Sequence, residues 1–69
     1  MITQTDKIIE YIDRFGSITA LDALGDLGIM RLAARIGELR VDGLDIKTDM
    51  QYVRNRFDER IKIARYSWA

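Results

Sequence analysis

Three observations predict an α+β fold in which three helices precede a β-hairpin. Apolar residues recur at helical intervals in three stretches before Gly43. Two of those stretches open with Thr-x-x-Asp, the spacing of a helix-capping box. After Gly43 the period drops to two, as in half-buried strands. With 69 residues the chain is expected to form one domain over 1–69, close to the smallest size at which a single core offsets chain entropy.

The first helix is capped by Thr3 or Thr5, with Thr3 and Asp6 in capping-box spacing, and places Ile8, Tyr11, Ile12 and Phe15 on one core-facing stripe. Gly16 ends it, being free to take the left-handed conformation. Ser17–Thr19 are too few for an independent element, although Ile18 can pair as a short strand. Thr19 and Asp22 repeat the capping spacing and start a short second helix, about Ala20 to Leu27, expected to bury Leu21 and Leu24 and to end at Gly28.

The third helix is predicted from about Met30 to Val41, stopping at Gly43. At about 100° per residue, Leu32, Ile36 and Leu39 fall within a sector of roughly 60° and face inward. Arg31, Ala34, Arg35 and Glu38 make the outward face. Gly37 costs roughly 1 kcal/mol relative to Ala inside a helix, a loss best explained by close approach of another backbone.

Leu44, Ile46 and Met50 then alternate with Asp45, Lys47 and Asp49, and Phe57, Ile61 and Ile63 with Asp58, Arg60 and Lys62. This reads as two strands joined by a tip at QYVRNR, which would leave Tyr52 and Val53 exposed there. Opposing Ile46 to Ile61 gives one favourable charge pair, Asp45 with Lys62, and two unfavourable ones, so the register stays open by two residues. Tyr66 and Trp68 run out of step with Ile61 and Ile63, which suggests a bulge or strand end near Ala64 and Arg65. Those two aromatics either pack on the first helix or anchor a second copy of the chain. The whole succession is that of a winged helix-turn-helix domain, α+β, with the C-terminal hairpin as wing.

The runs GSIT, LGIMRLAARIGELR and DG, then KT and RNRF in the hairpin and IARYS near the end, resemble a family of small winged helix-turn-helix domains common in phage and prophage proteins. That resemblance covers nearly the whole chain and implies DNA binding. It also implies a glycine soon after NRF, where this chain has Asp58. The older helix-turn-helix template places a small residue deep in the first helix of the motif, and counting back from Gly28 that position holds Leu24.

A recognition surface is expected on Met30, Arg31, Ala34, Arg35 and Glu38, with helix 30–41 in the major groove of double-stranded DNA. Arg is the usual partner of guanine, and a small Ala lets the backbone approach the groove floor. On the plainer reading Arg31 or Arg35 pairs with Glu38 or Asp42 on a solvated face. Hairpin 47–56, through Lys47, Arg54, Asn55 and Arg56, would act as the wing, laying charge along phosphates or entering the minor groove. The plainer reading there is a polar turn.

Charge is neutral overall but unevenly placed: two basic and five acidic residues up to Gly28, nine basic and six acidic after it. With no His and no Cys, the commonest general base and the commonest zinc ligands are missing, and no phosphate-loop or dinucleotide pattern occurs. Neither an enzymatic activity nor a cofactor or metal is expected. Without a signal-like or membrane-length apolar run, the expected setting is the cytoplasm, as a regulator acting on DNA, as a homodimer or multimer on repeated sites. The alternative is a winged helix that docks a protein and binds no DNA.

Overall fold

The computed structural model describes residues 2–69 and shows the predicted order of elements. Helix α1 (Gln4–Phe15) begins at Thr3, whose hydroxyl accepts from the Asp6 N–H while the Asp6 carboxylate accepts from the Thr3 N–H, each at 3.2 Å. Those contacts hold the Asp6 carboxyl below its ordinary pKa, the Thr3 backbone donor contributing most. Gly16 closes the helix at φ 89°, donating to the Ile12 carbonyl at 2.8 Å. Ile8 and Ile12 are buried, but Phe15, expected in the same stripe, is 63% exposed and leans on the Tyr11 ring at 4.7 Å. Periodicity gives a side chain its direction; it does not extend the body as far as the last turn of a helix.

Strand β1 (Ile18–Thr19) joins an antiparallel sheet of order β1-β3-β2, pairing Ile18 with Tyr66 and Thr19 with Arg65. Thr19 also caps helix α2 (Ala20–Asp22), reciprocally with Asp22. The helix continues as a π-helical turn over Ala23–Leu27, ended by Gly28 at φ 69°. Leu21 and Leu24, expected in the core, are instead 78% and 50% exposed, while Ala23 is fully buried; the turn accounts for Leu24. A π turn takes up one more residue than an α turn, so α-helical counting back from Gly28 lands one position off. The small residue deep in the motif is present; it is Ala23.

Helix α3 (Leu32–Val41) starts two residues later than predicted, leaving Met30 in the turn and Arg31 at the N-cap with φ −115° and ψ 59°. Leu32, Ile36 and Leu39 face the core as expected. Gly37 does not mark a close approach: it is exposed, and an added Cβ would meet nothing within 4 Å.

The hairpin differs most from expectation. Strands β2 (Ile46–Arg54) and β3 (Arg60–Trp68) pair without interruption from Ile46 opposite Trp68 to Arg54 opposite Arg60. Ile46 therefore does not oppose Ile61, Tyr52 and Val53 sit within a strand, and no bulge occurs at Ala64 and Arg65. The apparent phase change arises because Ile61 and Ile63 lie on the opposite face of one continuous strand from Tyr66 and Trp68. In this register Asp49 stands opposite Arg65 and Arg54 opposite Arg60, so charge pairing does not select it, and Arg65 instead donates to Gln51 and Ser17.

The core joins Ile8, Ile12, Ile18, Ala23, Ile29, Leu32, Ile36, Leu39 and Ile46, with Tyr66 and Trp68 packed against it. Trp68 Nε1 donates to Asp13 of α1 at 2.7 Å, so the aromatic tail packs on its own first helix. Arg40 ties the end of α3 to β2 by donating to the Ile46 carbonyl and the Thr48 hydroxyl. Beyond this root the hairpin projects as an arm, and the molecule measures 40 × 23 × 21 Å.

Candidate nucleic-acid interface

Five of the predicted site residues fall into three places. Met30, 83% exposed, and Arg54 line one groove between α2, the start of α3 and the hairpin. Arg35 and Glu38 line a separate depression with Thr3, Gln4 and Thr5 at the start of α1. Lys47 lies at the root of the hairpin opposite Ser67, about 23 Å along the strand from Arg54 at ~3.3 Å per residue. It pairs with Asp49 at 3.8 Å.

Several of these side chains are already engaged. Arg35 donates to Glu38 at 2.7 Å, keeps only 29% of its side chain exposed, and has its Nε buried without a partner. Ala34 is half-buried, so the outward face of α3 runs through Ala33, Gly37, Glu38 and Val41, a smoother surface than the sequence suggests. Arg54 Nη1 donates to the Asp58 carbonyl at 2.9 Å and lies 3.4 Å from its carboxylate. Asn55 is the keystone of the tip: its Oδ1 accepts from the N–H groups of Phe57 and Glu59 at 2.9 and 3.0 Å. Arg31 and Arg56, in contrast, are exposed and make no ion pair or side-chain hydrogen bond among the described residues.

The true tip is Asn55–Glu59, not QYVRNR. Asp58 takes φ 61°, the left-handed region in which Gly is the easiest residue and Asp among the more tolerated. The position where the resemblance implies a glycine is thus one that needs its conformation. Sequence reasoning missed Arg60 and Lys62 near the tip, and Phe57, 80% exposed, within it. Period-two alternation had absorbed all three into a strand; the Asn55 and Asp58 pair was the available signal for a turn there. Arg60 lies over the Tyr52 ring at 4.1 Å.

The groove that Met30 and Arg54 share is largely apolar, with Leu21, Leu24, Val53 and Ile61 in its walls and Arg54 and Lys62 contributed by the hairpin. The groove is open to solvent and offers about 820 Å³. Among the described residues, no helix is long and apolar enough to cross a membrane.

A family model described as a winged helix-turn-helix domain matches residues 3–69, and the chain belongs to that family. Neither the comparison with curated proteins nor that with solved structures returns a match. Winged helix-turn-helix domains are in general DNA-binding modules and typically not enzymes.

Proposed function

From its membership of this family, we propose that the chain binds double-stranded DNA, with the start of α3 in the major groove and the hairpin as wing. The observation that carries the reading is the pair of unengaged arginines, Arg31 at the N-cap of α3 and Arg56 at the hairpin tip. Their near neighbours Met30 and Arg54 border one groove, so the two cations belong to elements that flank a common space. Arg31 suits guanine, whose two major-groove acceptors match a guanidinium. The bare face of Ala33 and Gly37 admits the helix backbone close to the groove floor.

On this reading Met30, Ala34, Arg35 and Glu38 contribute in a second rank. Arg35 and Glu38 hold each other, and their pair adds little net charge toward the DNA. Lys47 contacts phosphate only if the duplex reaches the hairpin root, and Asn55 acts by shaping the tip that presents Arg56. Few free cations mean few phosphate contacts, so specific binding calls for two or more copies on repeated half-sites. The role that fits is a small regulator of a phage or mobile element, acting in the cytoplasm without catalysis or cofactor.

Fluorescence anisotropy with a labelled random duplex at low and near-physiological salt tests this directly. Binding that weakens steeply with salt is expected, with Arg31→Ala costing about 1 to 3 kcal/mol on a selected site and Arg56→Ala lowering the salt slope by about 1. A second reading, a protein-docking module, has the apolar groove in its favour. It requires that a folded chain leave DNA unbound at low salt.

A further inference from the structure

We propose that Phe57 is an apolar wedge that the wing inserts between base pairs of the minor groove, so that binding kinks the duplex. The inference rests on the DNA-binding reading and adds a mechanical act to it.

Phe57 stands in the tip of the arm with 80% of its surface exposed. Exposure alone means little, since single apolar residues are common on surfaces. Phe15 is also exposed, but it rests on the Tyr11 ring, whereas Phe57 stacks on no other ring among the described residues.

What distinguishes Phe57 is how firmly the chain holds it out. Its N–H donates to Asn55 Oδ1 at 2.9 Å, and the Glu59 N–H donates to the same oxygen at 3.0 Å. The Asn55 N–H donates to the Glu59 carbonyl, and the Asp58 N–H to the Asn55 carbonyl, both at 3.0 Å. Arg54 clamps Asp58 from outside the loop, and Asp58 takes a left-handed conformation to complete the turn. Five residues are thus locked so that the tip carries an aromatic ring toward solvent, and little ordering entropy remains to be lost on insertion. Below the tip the opposed pair Val53 and Ile61 gives the arm a continuous ladder.

The surroundings select the partner. Arg56 is free, Arg60 and Lys62 follow on β3, and both acids of the tip are engaged, Asp58 by Arg54 and the Glu59 carboxylate by the Asn55 side-chain amide at 3.3 Å. A ring flanked by cations matches a polyanion with an apolar stacked interior. Apolar side chains inserted at minor-groove steps unstack them and bend DNA by ~20–90°. Pyrimidine–purine steps give way most easily, so the wedge favours TA and CA/TG steps without a base-specific hydrogen bond.

The test uses a duplex of about 30 base pairs containing TA steps, labelled at both ends with a donor and acceptor and carrying 2-aminopurine at one step. Anisotropy and the sedimentation of the free protein are followed in parallel. Wild type is expected to raise energy transfer and 2-aminopurine fluorescence together. Phe57→Ala is expected to bind but lose both rises, and Phe57→Leu, which keeps an apolar wedge, to retain most of them. A straight duplex in the wild-type complex, or bending unchanged in Phe57→Ala, overturns the proposal. So does self-association of the wild type that Phe57→Ala abolishes together with the bend, because the ring then serves a contact between copies. No binding by the folded wild type at low salt removes the DNA-binding reading itself, an outcome told apart from the others by anisotropy.

Discussion

The body and the arm of this molecule are built on opposite terms. Every buried hydrophobic residue but Ile46 precedes the hairpin, in α1, β1, the α2 region, the turn before α3, and α3 itself. Past Ile46 and up to Ile61 the arm buries no side chain fully; it is held by its ladder and by the hydrogen bonds of its tip. The body therefore carries the stability, and the arm carries side chains that the fold itself does not consume. Arg56 and Phe57 are available to a partner because nothing in the body uses them.

The largest effect should come from the body. Ile12→Ala removes a fully buried side chain at the centre of the core and is expected to cost about 2 to 5 kcal/mol, which for so small a domain abolishes most of the folded population. Val53→Ala in the arm is expected to cost less than about 1 kcal/mol. Urea unfolding followed by the fluorescence of Trp68, which docks on Asp13, measures both. Equal losses would erase the distinction between the two regions.

Gly37→Ala sharpens the comparison in the other direction. With open space at the Cβ position, the variant is expected to gain about 1 kcal/mol of stability from helix propensity. A gain in stability joined to weaker DNA binding would mark Gly37 as kept for approach to the groove floor. Asn55→Ala should leave the unfolding midpoint nearly unchanged yet speed amide exchange at Phe57 and Glu59, whose N–H groups lose their acceptor. Slow exchange there in the variant would show that the tip is held by something else.

The smallest effect is a titration. Tyr11 donates to the Asp26 carboxylate at 2.5 Å, and this bond, with desolvation behind it, pushes the phenol up to about 12. A phenol whose folded pKa is raised contributes stability that is whole below its ordinary value near 10 and is lost as pH climbs through about 12. Ultraviolet titration should show one late phenolate that Tyr11→Phe removes. At the acid end the sign reverses: the depressed Asp6 carboxyl stabilises the start of α1 above its ordinary value and ceases to as pH falls through the folded one.

How far the sequence reaches follows the same division. Both capping boxes, the glycine stops at Gly16 and Gly28 and the inward face of α3 depend on residues spaced three or four apart along the chain, and the sequence shows them; the short strand at Ile18 is also readable, although its partner Tyr66 lies far along the chain. The π turn was not readable, because nothing in ALGDL announces an extra residue, and its one-position shift exchanged Ala23 for Leu24 in the core. The hairpin register was missed because Ile61 and Ile63 satisfy a period of two on either face, and only the pairing of Ile46 with Trp68 decides between them. For the candidate site, residue type pointed to the arginines. Which are spent on Glu38 and Asp58, and which are free, depends on the folded chain.

The most direct measurement is a residue-by-residue map of the DNA contact: amide chemical shifts of the labelled protein titrated with a short duplex at low salt. The expected result is shifts concentrated at Met30 to Ala34, around Gly37, and from Arg54 to Arg60, with α1 unmoved. Shifts confined to α1 and the sheet root around Lys47, or none at all in a folded chain, would contradict the assignment of the binding face to the start of α3 and the wing tip.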